Sequence, residues 1–197
     1  MGKLTKKQKI RRLAESAIML ALSTILAELP VIPFPFGGSV TIFSQVPMVV
    51  ISYRYGVKWG IFSGLAMGVI QALFGFSNIT YFKEIVSGLI VLLADYIIAF
   101  GALGLGGMFR NVIKNQPVSI ALGGAVVSVI RFICHFISGV TVWADYTNGA
   151  KEVWLYSLGY NGGYMLPELI ITVIGCAVLG AVFDLKSPDL KILKTKK

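Results

Sequence analysis

RFICHFISGVTVWADYTNGAKEVWLYSLGYNGGYMLPE, residues 131–168, decides how the rest of the chain is read. Two apolar runs flank a short polar link. The first run carries Arg131 and His135, and the second carries Asn161 and Glu168. His135 is the only histidine in 197 residues, and Trp143 and Trp154 are two of the three tryptophans. An ionisable side chain at bilayer depth costs about 2.5–3.5 kcal/mol on insertion scales, so it needs a partner or a role. The stretch therefore reads as two membrane helices whose polar side chains meet each other or a polar ligand.

Composition agrees with a lipid setting. Hydrophobic residues make up 56% of the chain and charged residues 14%, where soluble domains run nearer about half and about a quarter. The formal net charge of +9 raises nucleic acid as a partner. The basic residues lie at the ends of apolar segments, however, and not along an aromatic-interleaved face, which argues against it. Cys134 and Cys176 both sit inside apolar runs and read as packing residues. The basic stretch 3–12 followed by apolar residues 13–27 has the outline of a signal peptide. Several more apolar segments follow, so it reads as a retained first spanning helix. One transmembrane domain, 1–197, is expected, with basic tails at 1–12 and 184–197.

Six helices follow from the pattern, at about 13–29, 41–53, 59–73, from between 81 and 88 to 104, from 117 to between 139 and 143, and 158–183. The second is too short to cross about 30 Å of hydrocarbon at 1.5 Å per residue, so it is expected to lie inside the bundle. Gly60, Gly64 and Gly68 form a GxxxGxxxG row, a signal of close helix packing. Ala14, Ala17 and Ala21 give the first helix a smooth stripe. Between the first two helices, PVIPFPFGGS (30–39) has three prolines in six residues and then a glycine pair, which forbids a helix. It reads as a lid-like loop carrying Phe34 and Phe36, or as a plain surface connector. Residues 74–84 read as a loop.

Charge sets the orientation. Lys3, Lys6, Lys7, Lys9, Arg11, Arg12, Arg54, Lys58, Arg110, Lys114 and the five lysines of the tail fall on one side, and only Lys83 and Lys151 fall in the opposite loops. By the positive-inside rule both termini face the cytoplasm. The fold class is an all-α integral membrane protein, a six-helix transmembrane bundle.

The polar residues then gather at the outer side. Arg131, His135 and Gly139 recur at i, i+4, i+8, and Asn161, Tyr164 and Glu168 at i, i+3, i+7, each set close to one helix face. Asp95, with Tyr96 beside it, comes from the fourth helix. The two outer loops are expected to hang Phe34, Phe36, Trp143, Trp154 and Tyr156 above them. An aromatic-walled pocket with a few polar contacts is the usual make-up of a small-ligand site. Asp95 among aromatic rings suits a flat cation, with Asn161, His135 and Tyr156 as hydrogen-bonding groups for a heterocycle. Plainer readings stand beside these: an Arg131–Glu168 structural bridge, a core histidine, and interface-belt tryptophans. No phosphate-binding loop, zinc set or serine-hydrolase motif occurs, so no metal or cofactor is expected. An intramembrane hydrolase using His135 and Asp95 lacks a visible nucleophile.

GGSVTI…VPMVVISYRYGVKWG (37–60), ADYIIAFGALGLGG (94–107) and RFICHFISGVTVW…VWLYSLGYNGGYMLP (131–167) resemble the thiamine-specific S-component of bacterial energy-coupling factor transporters. The similarity covers most of the chain. It implies six helices with cytoplasmic termini in a bacterial cell membrane, high-affinity thiamine capture from outside, and no covalent catalysis. It implies partners too: a transmembrane coupling subunit, met through Ala17 and Ala21, and two cytoplasmic ATPases. The binding positions implied are Asp95, Tyr96, Arg131, His135, Trp143, Tyr156 and Asn161. Asp95 stands where a glutamate also occurs in the family, which shortens its reach. The segment between Phe76 and Gly88 is a few residues longer than in relatives, and Glu168 matches no family motif position. The alternatives are an S-component for another vitamin or precursor, such as hydroxymethylpyrimidine or riboflavin, and an intramembrane enzyme.

Overall fold

A computed structural model describes residues 5–34, 37–82, 84–146 and 152–193. Helix α1 (Lys6–Ala27) begins seven residues before the apolar run. Thr5 explains this: its hydroxyl accepts from the Gln8 amide and the Gln8 side chain accepts from the Thr5 amide, a reciprocal cap that starts the helix in charged sequence. Within α1 only Ser16 and Ser23 are buried, while Ala14, Ala17 and Ala21 are exposed. The helix meets the bundle through Met19, Leu20 and Ala27, which pack against the core, and through polar contacts: Trp59 Nε1 donates to Ser16 Oγ at 2.8 Å, and Ser23 Oγ donates to the Ser44 carbonyl.

The proline-rich stretch is not an irregular loop. Strand β1 (Pro30–Pro33) pairs antiparallel with β2 (Ser39–Thr41), with a register shift between Pro30 and Ile32. Proline is tolerated here because a two-stranded ribbon is all edge. A second small hairpin joins β3 (Phe183–Asp184) to β4 (Lys191–Ile192) in the tail. The all-α expectation is corrected to a mostly helical fold with two short hairpins. Phe36 lies outside the described residues.

Helix α2 (Val46–Tyr55) has Pro47 in its first turn and stops at Gly56, whose φ of 90° a side chain would resist. Residues 46 through 54 are all buried, so α2 is the interior helix its length required. Met48, Val49, Ile51 and Tyr53 form the centre of the core with Met67, Leu103, Ile120, Val127 and Cys176.

Helix α3 (Val57–Phe74) lies along α5 (Ile85–Leu105), and the glycine row is the seam. A Cβ at Gly60 would sit 2.6 Å from the Gly104 carbonyl oxygen, at Gly64 2.6 Å from that of Phe100, and at Gly68 2.8 Å from that of Tyr96. Backbones this close gain dispersion contacts that any side chain would forbid. Between α3 and α5, in the segment read as loop, residues Phe76–Ile79 form the single-turn helix α4.

Helix α6 (Gln116–Thr141) is capped by the Asn115 side chain, which accepts from the Val118 amide. It runs antiparallel to α7 (Val153–Val182), meeting it at Gly124 beside Thr172 and Cys176, and at Gly139 beside Ser157. α7 starts five residues earlier than its apolar run, so Trp154 and Tyr156 belong to its first turn and not to a loop. By length and composition α3, α5, α6 and α7 can each cross a membrane.

The basic ends collect at one end of the bundle. Arg54 binds Glu15 at 2.8 Å and donates to the carbonyls of Leu185, Ser187 and Pro188. Gln116 donates to the carbonyls of Gly180 and Phe183 there. The β1–β2 hairpin and the start of α7 lie at the other end.

Candidate functional site

At that other end a cavity of about 440 Å³ opens between α3, α5, α6, α7 and the β1–β2 hairpin, within the range of about 300–1,000 Å³ common for small-ligand sites. Asp95, Tyr96, Arg131, His135, Trp143, Tyr156 and Asn161 all line it, as does Phe34. Ala17 and Ala21 do not; they face outward on α1.

The floor is built by α5. Its middle, Leu92–Ile98, is a π-helical segment. Such a widened turn rotates the residues within it relative to a regular helix and is frequent at functional sites. Here neighbouring Asp95 and Tyr96 both reach the cavity, although consecutive helical residues point about 100° apart. Asp95 is anchored from α6: its Oδ1 lies 2.9 Å from His135 Nδ1, and its Oδ2 accepts from Ser138 Oγ at 2.7 Å. Tyr96 donates to the Gly75 carbonyl at 3.3 Å and accepts from Asn78 Nδ2 at 3.3 Å. A Cβ at Gly75 would fall 1.9 Å from the Tyr96 oxygen, so that glycine makes room for the ring.

From α6, Arg131 places its guanidinium carbon 4.6 Å from the centre of the Phe100 ring. Its Nε is shielded from solvent and has no hydrogen-bond partner among the described residues. The Arg131–Glu168 bridge is not formed. Glu168 is taken by other donors: the Thr41 amide, Thr41 Oγ1 at 2.6 Å and Gln45 Nε2 at 2.9 Å.

On α7, Asn161 is 4% exposed and already engaged. Its Nδ2 donates to the Ser157 carbonyl at 3.0 Å, and Tyr164 donates to its Oδ1 at 2.8 Å. Only one lone pair of Oδ1 is left for a ligand. Gly139 permits this: a Cβ there would fall 2.2 Å from Ser157 Oγ. Tyr156 stacks parallel to Tyr160 at 6.3 Å, and Tyr160 meets Tyr164 edge-on at 5.8 Å. Trp143, in the 3₁₀ turn Trp143–Tyr146, is held from outside by Tyr81, stacked at 5.8 Å, and Phe82, edge-on at 4.7 Å.

The hairpin roofs the cavity. Phe34 packs on Tyr164 at 5.6 Å and Tyr160 at 6.0 Å. Gly38 lies against the same rings, where a Cβ would be 2.7 Å from Tyr164. Sequence reasoning missed Asn78, Tyr160, Ser138 and Glu28 as members of the site. Tyr160 was within reach, since it continues the row Tyr156, Tyr160, Tyr164 at four-residue spacing. Asn78 lies in the segment read as loop, and Glu28 sits at the very end of the first helix, where the pattern gives no sign that its side chain turns to the cavity.

The model of a family described as thiamine transporter protein matches residues 13–186. The chain is 34% identical to the thiamine transporter ThiT of Bacillus subtilis, over 98% of this chain and all of that one. It is 27% identical to ThiT of Lacticaseibacillus paracasei over 79% and 78% of the two chains. A solved structure of ThiT from Listeria monocytogenes superposes with a TM-score of 0.69 at 25% identity, covering 87% of this chain and 94% of that one.

Proposed function

The chain belongs to the thiamine transporter protein family, and from that premise we propose that it is the thiamine-capturing membrane subunit of an energy-coupling factor importer, a multi-pass cell-membrane protein that performs no covalent chemistry. One observation carries the reading: a carboxylate, Asp95, held in a cavity lined by the rings of Phe34, Trp143, Tyr156, Tyr160 and Tyr164. Thiamine is a flat cation with a neutral aminopyrimidine, and such a site meets both halves.

In this account Asp95 lies against the thiazolium and offsets its charge. His135 holds the carboxylate in place and adds a flat surface. Trp143 supplies the main stacking face, with cation–π attraction of about 0.5–2 kcal/mol. Tyr156 and the free lone pair of Asn161 serve the aminopyrimidine, and Tyr96 and Arg131 close the inner wall. Phe34 on the hairpin excludes water from above.

The four long apolar helices, with α1 and the interior α2, make the six-helix bundle. The basic end faces the cytoplasm, so the hairpin faces outward. The exposed Ala17 and Ala21 on α1 offer the smooth face on which a coupling subunit can pack. Two cytoplasmic ATPases on that subunit drive release inward.

Equilibrium dialysis of the purified subunit against labelled thiamine tests the capture step. Saturable binding at one thiamine per chain, displaced by unlabelled thiamine but not by riboflavin, is expected. Displacement by riboflavin at equal concentration, or no binding at micromolar thiamine, rejects it.

A further inference from the structure

We propose that Glu168 is a positioning residue for ligand retention: it anchors the root of the roofing hairpin and so keeps the cavity closed. The inference rests on the thiamine-capture reading for its ligand and on the hydrogen-bond geometry for its mechanism. Glu168 is 3% exposed and sits in the middle of α7, directly after Pro167. A buried carboxylate at this depth is retained only with full hydrogen bonding or a task. Its three donors all come from the segment that joins hairpin to bundle. Thr41, the last residue of β2, gives both its amide and its hydroxyl, and Gln45, just before α2, gives its carboxamide.

The contacts continue outward from there. Thr41 Oγ1 lies 2.6 Å from Ser44 Oγ, and the Ser44 carbonyl accepts from Ser23 on α1. Gln45 Oε1 accepts from Ser128 on α6 at 3.2 Å. One carboxylate thereby ties β2, α2, α6 and α7 together, with α1 attached through Ser44. The joining segment also holds Phe43, whose φ of 61° is left-handed, the one non-glycine residue there among those described. Backbone in that region costs about 1–3 kcal/mol and persists only where its surroundings hold it. Without Glu168 the segment loses the acceptor that fixes Thr41. β2 is then free to swing, and with it Gly38 and Phe34, which rest on Tyr160 and Tyr164 over the ligand space.

Two substitutions separate this role from plain stability. In Glu168→Gln the new amide group meets a donor whichever way it turns, since three donors converge on two oxygens. Thr41→Val removes only the hydroxyl, and Thr41→Ser restores it. Stopped-flow tryptophan fluorescence reads thiamine dissociation. We expect Glu168→Gln and Thr41→Val to speed dissociation roughly tenfold, the loss of one buried hydrogen bond to a charged acceptor, while Thr41→Ser stays within about twofold. In the ligand-free protein, deuterium exchange should rise in β1 and β2 and stay unchanged in α3 and α6.

Dissociation within twofold of wild type in both altered variants overturns the proposal. So does exchange rising equally through all helices, because the network would then be a general brace. If Glu168→Gln does not fold, the valine and serine pair at Thr41 decides alone. Should the wild-type protein fail to take thiamine, the capture reading falls, and the exchange arm still judges the anchor.

Discussion

Replacing Asp95 by asparagine removes a charge while keeping the shape. The surrounding bonds can survive it. Asparagine Oδ1 can keep the contact to His135 Nδ1, now at 2.9 Å, and its Nδ2 can face Ser138 Oγ, which rotates from donor to acceptor. What is lost is the attraction for a cation. At about 4 Å separation and an effective dielectric of about 20, two unit charges attract by roughly 4 kcal/mol. The Asp95 side chain retains 16% exposure, which screens part of this, so a loss of about 2–4 kcal/mol is expected, or roughly 30- to 1,000-fold in Kd. Isothermal titration of wild type and Asp95→Asn with thiamine gives the number. The neutral aminopyrimidine half of the ligand, titrated separately, should change by less than about threefold. An equal loss for cation and neutral fragment would refute the reasoning, because the damage would then be to the site's shape. So would a thiamine Kd within threefold of wild type.

Other outcomes follow from the same geometry. Glu28 lines the cavity mouth at the C-terminal end of α1, where the helix dipole adds negative potential, and it makes no ion pair among the described residues. Glu28→Gln should slow thiamine association several-fold at low salt and much less at high salt, with dissociation unchanged in stopped-flow traces. Gly64→Val forces a side chain into a 2.6 Å gap against the Phe100 carbonyl; thermal unfolding in detergent should show a loss of about 1–3 kcal/mol or more. Ala17→Trp should leave thiamine binding intact in titrations but abolish uptake in cells carrying the coupling module. The Arg11 guanidinium, bonded to Asp189, holds that exposed carboxyl below its ordinary value of 3.8. A lowered carboxyl pKa stabilises at higher pH and is lost as pH falls through the folded value, so exchange of the tail hairpin should rise only below about pH 4.

Much of this architecture is legible in the sequence. The GxxxGxxxG row predicted the α3 seam because only glycine lets two backbones touch, a rule that needs no tertiary context. The length of the second helix predicted its interior place for a similarly simple reason. The hairpin was not legible. Proline excludes a helix but leaves loop and edge strand equally open, and the pairing of Pro30 with Thr41 depends on chain eleven residues away. The π segment was invisible too: the residues LLADYII read as ordinary apolar helix, and nothing in their spacing marks a widened turn. Spacing along α6 and α7 put Arg131, His135, Asn161 and Glu168 on faces that line the cavity. It could not choose their partners: Arg131 and Glu168 have opposite charge and line the same cavity, yet Glu168 is claimed by the hairpin root, which lies 127 residues away in sequence.

The most direct test reads the ligand's position through one ring. A variant keeping only Trp143, with Trp59 and Trp154 changed to phenylalanine, is titrated with thiamine while its fluorescence is recorded. Strong, saturable quenching at one thiamine per chain is expected, abolished at the same concentrations by Asp95→Asn. Binding detected calorimetrically with no change in Trp143 emission would place thiamine elsewhere and contradict the account.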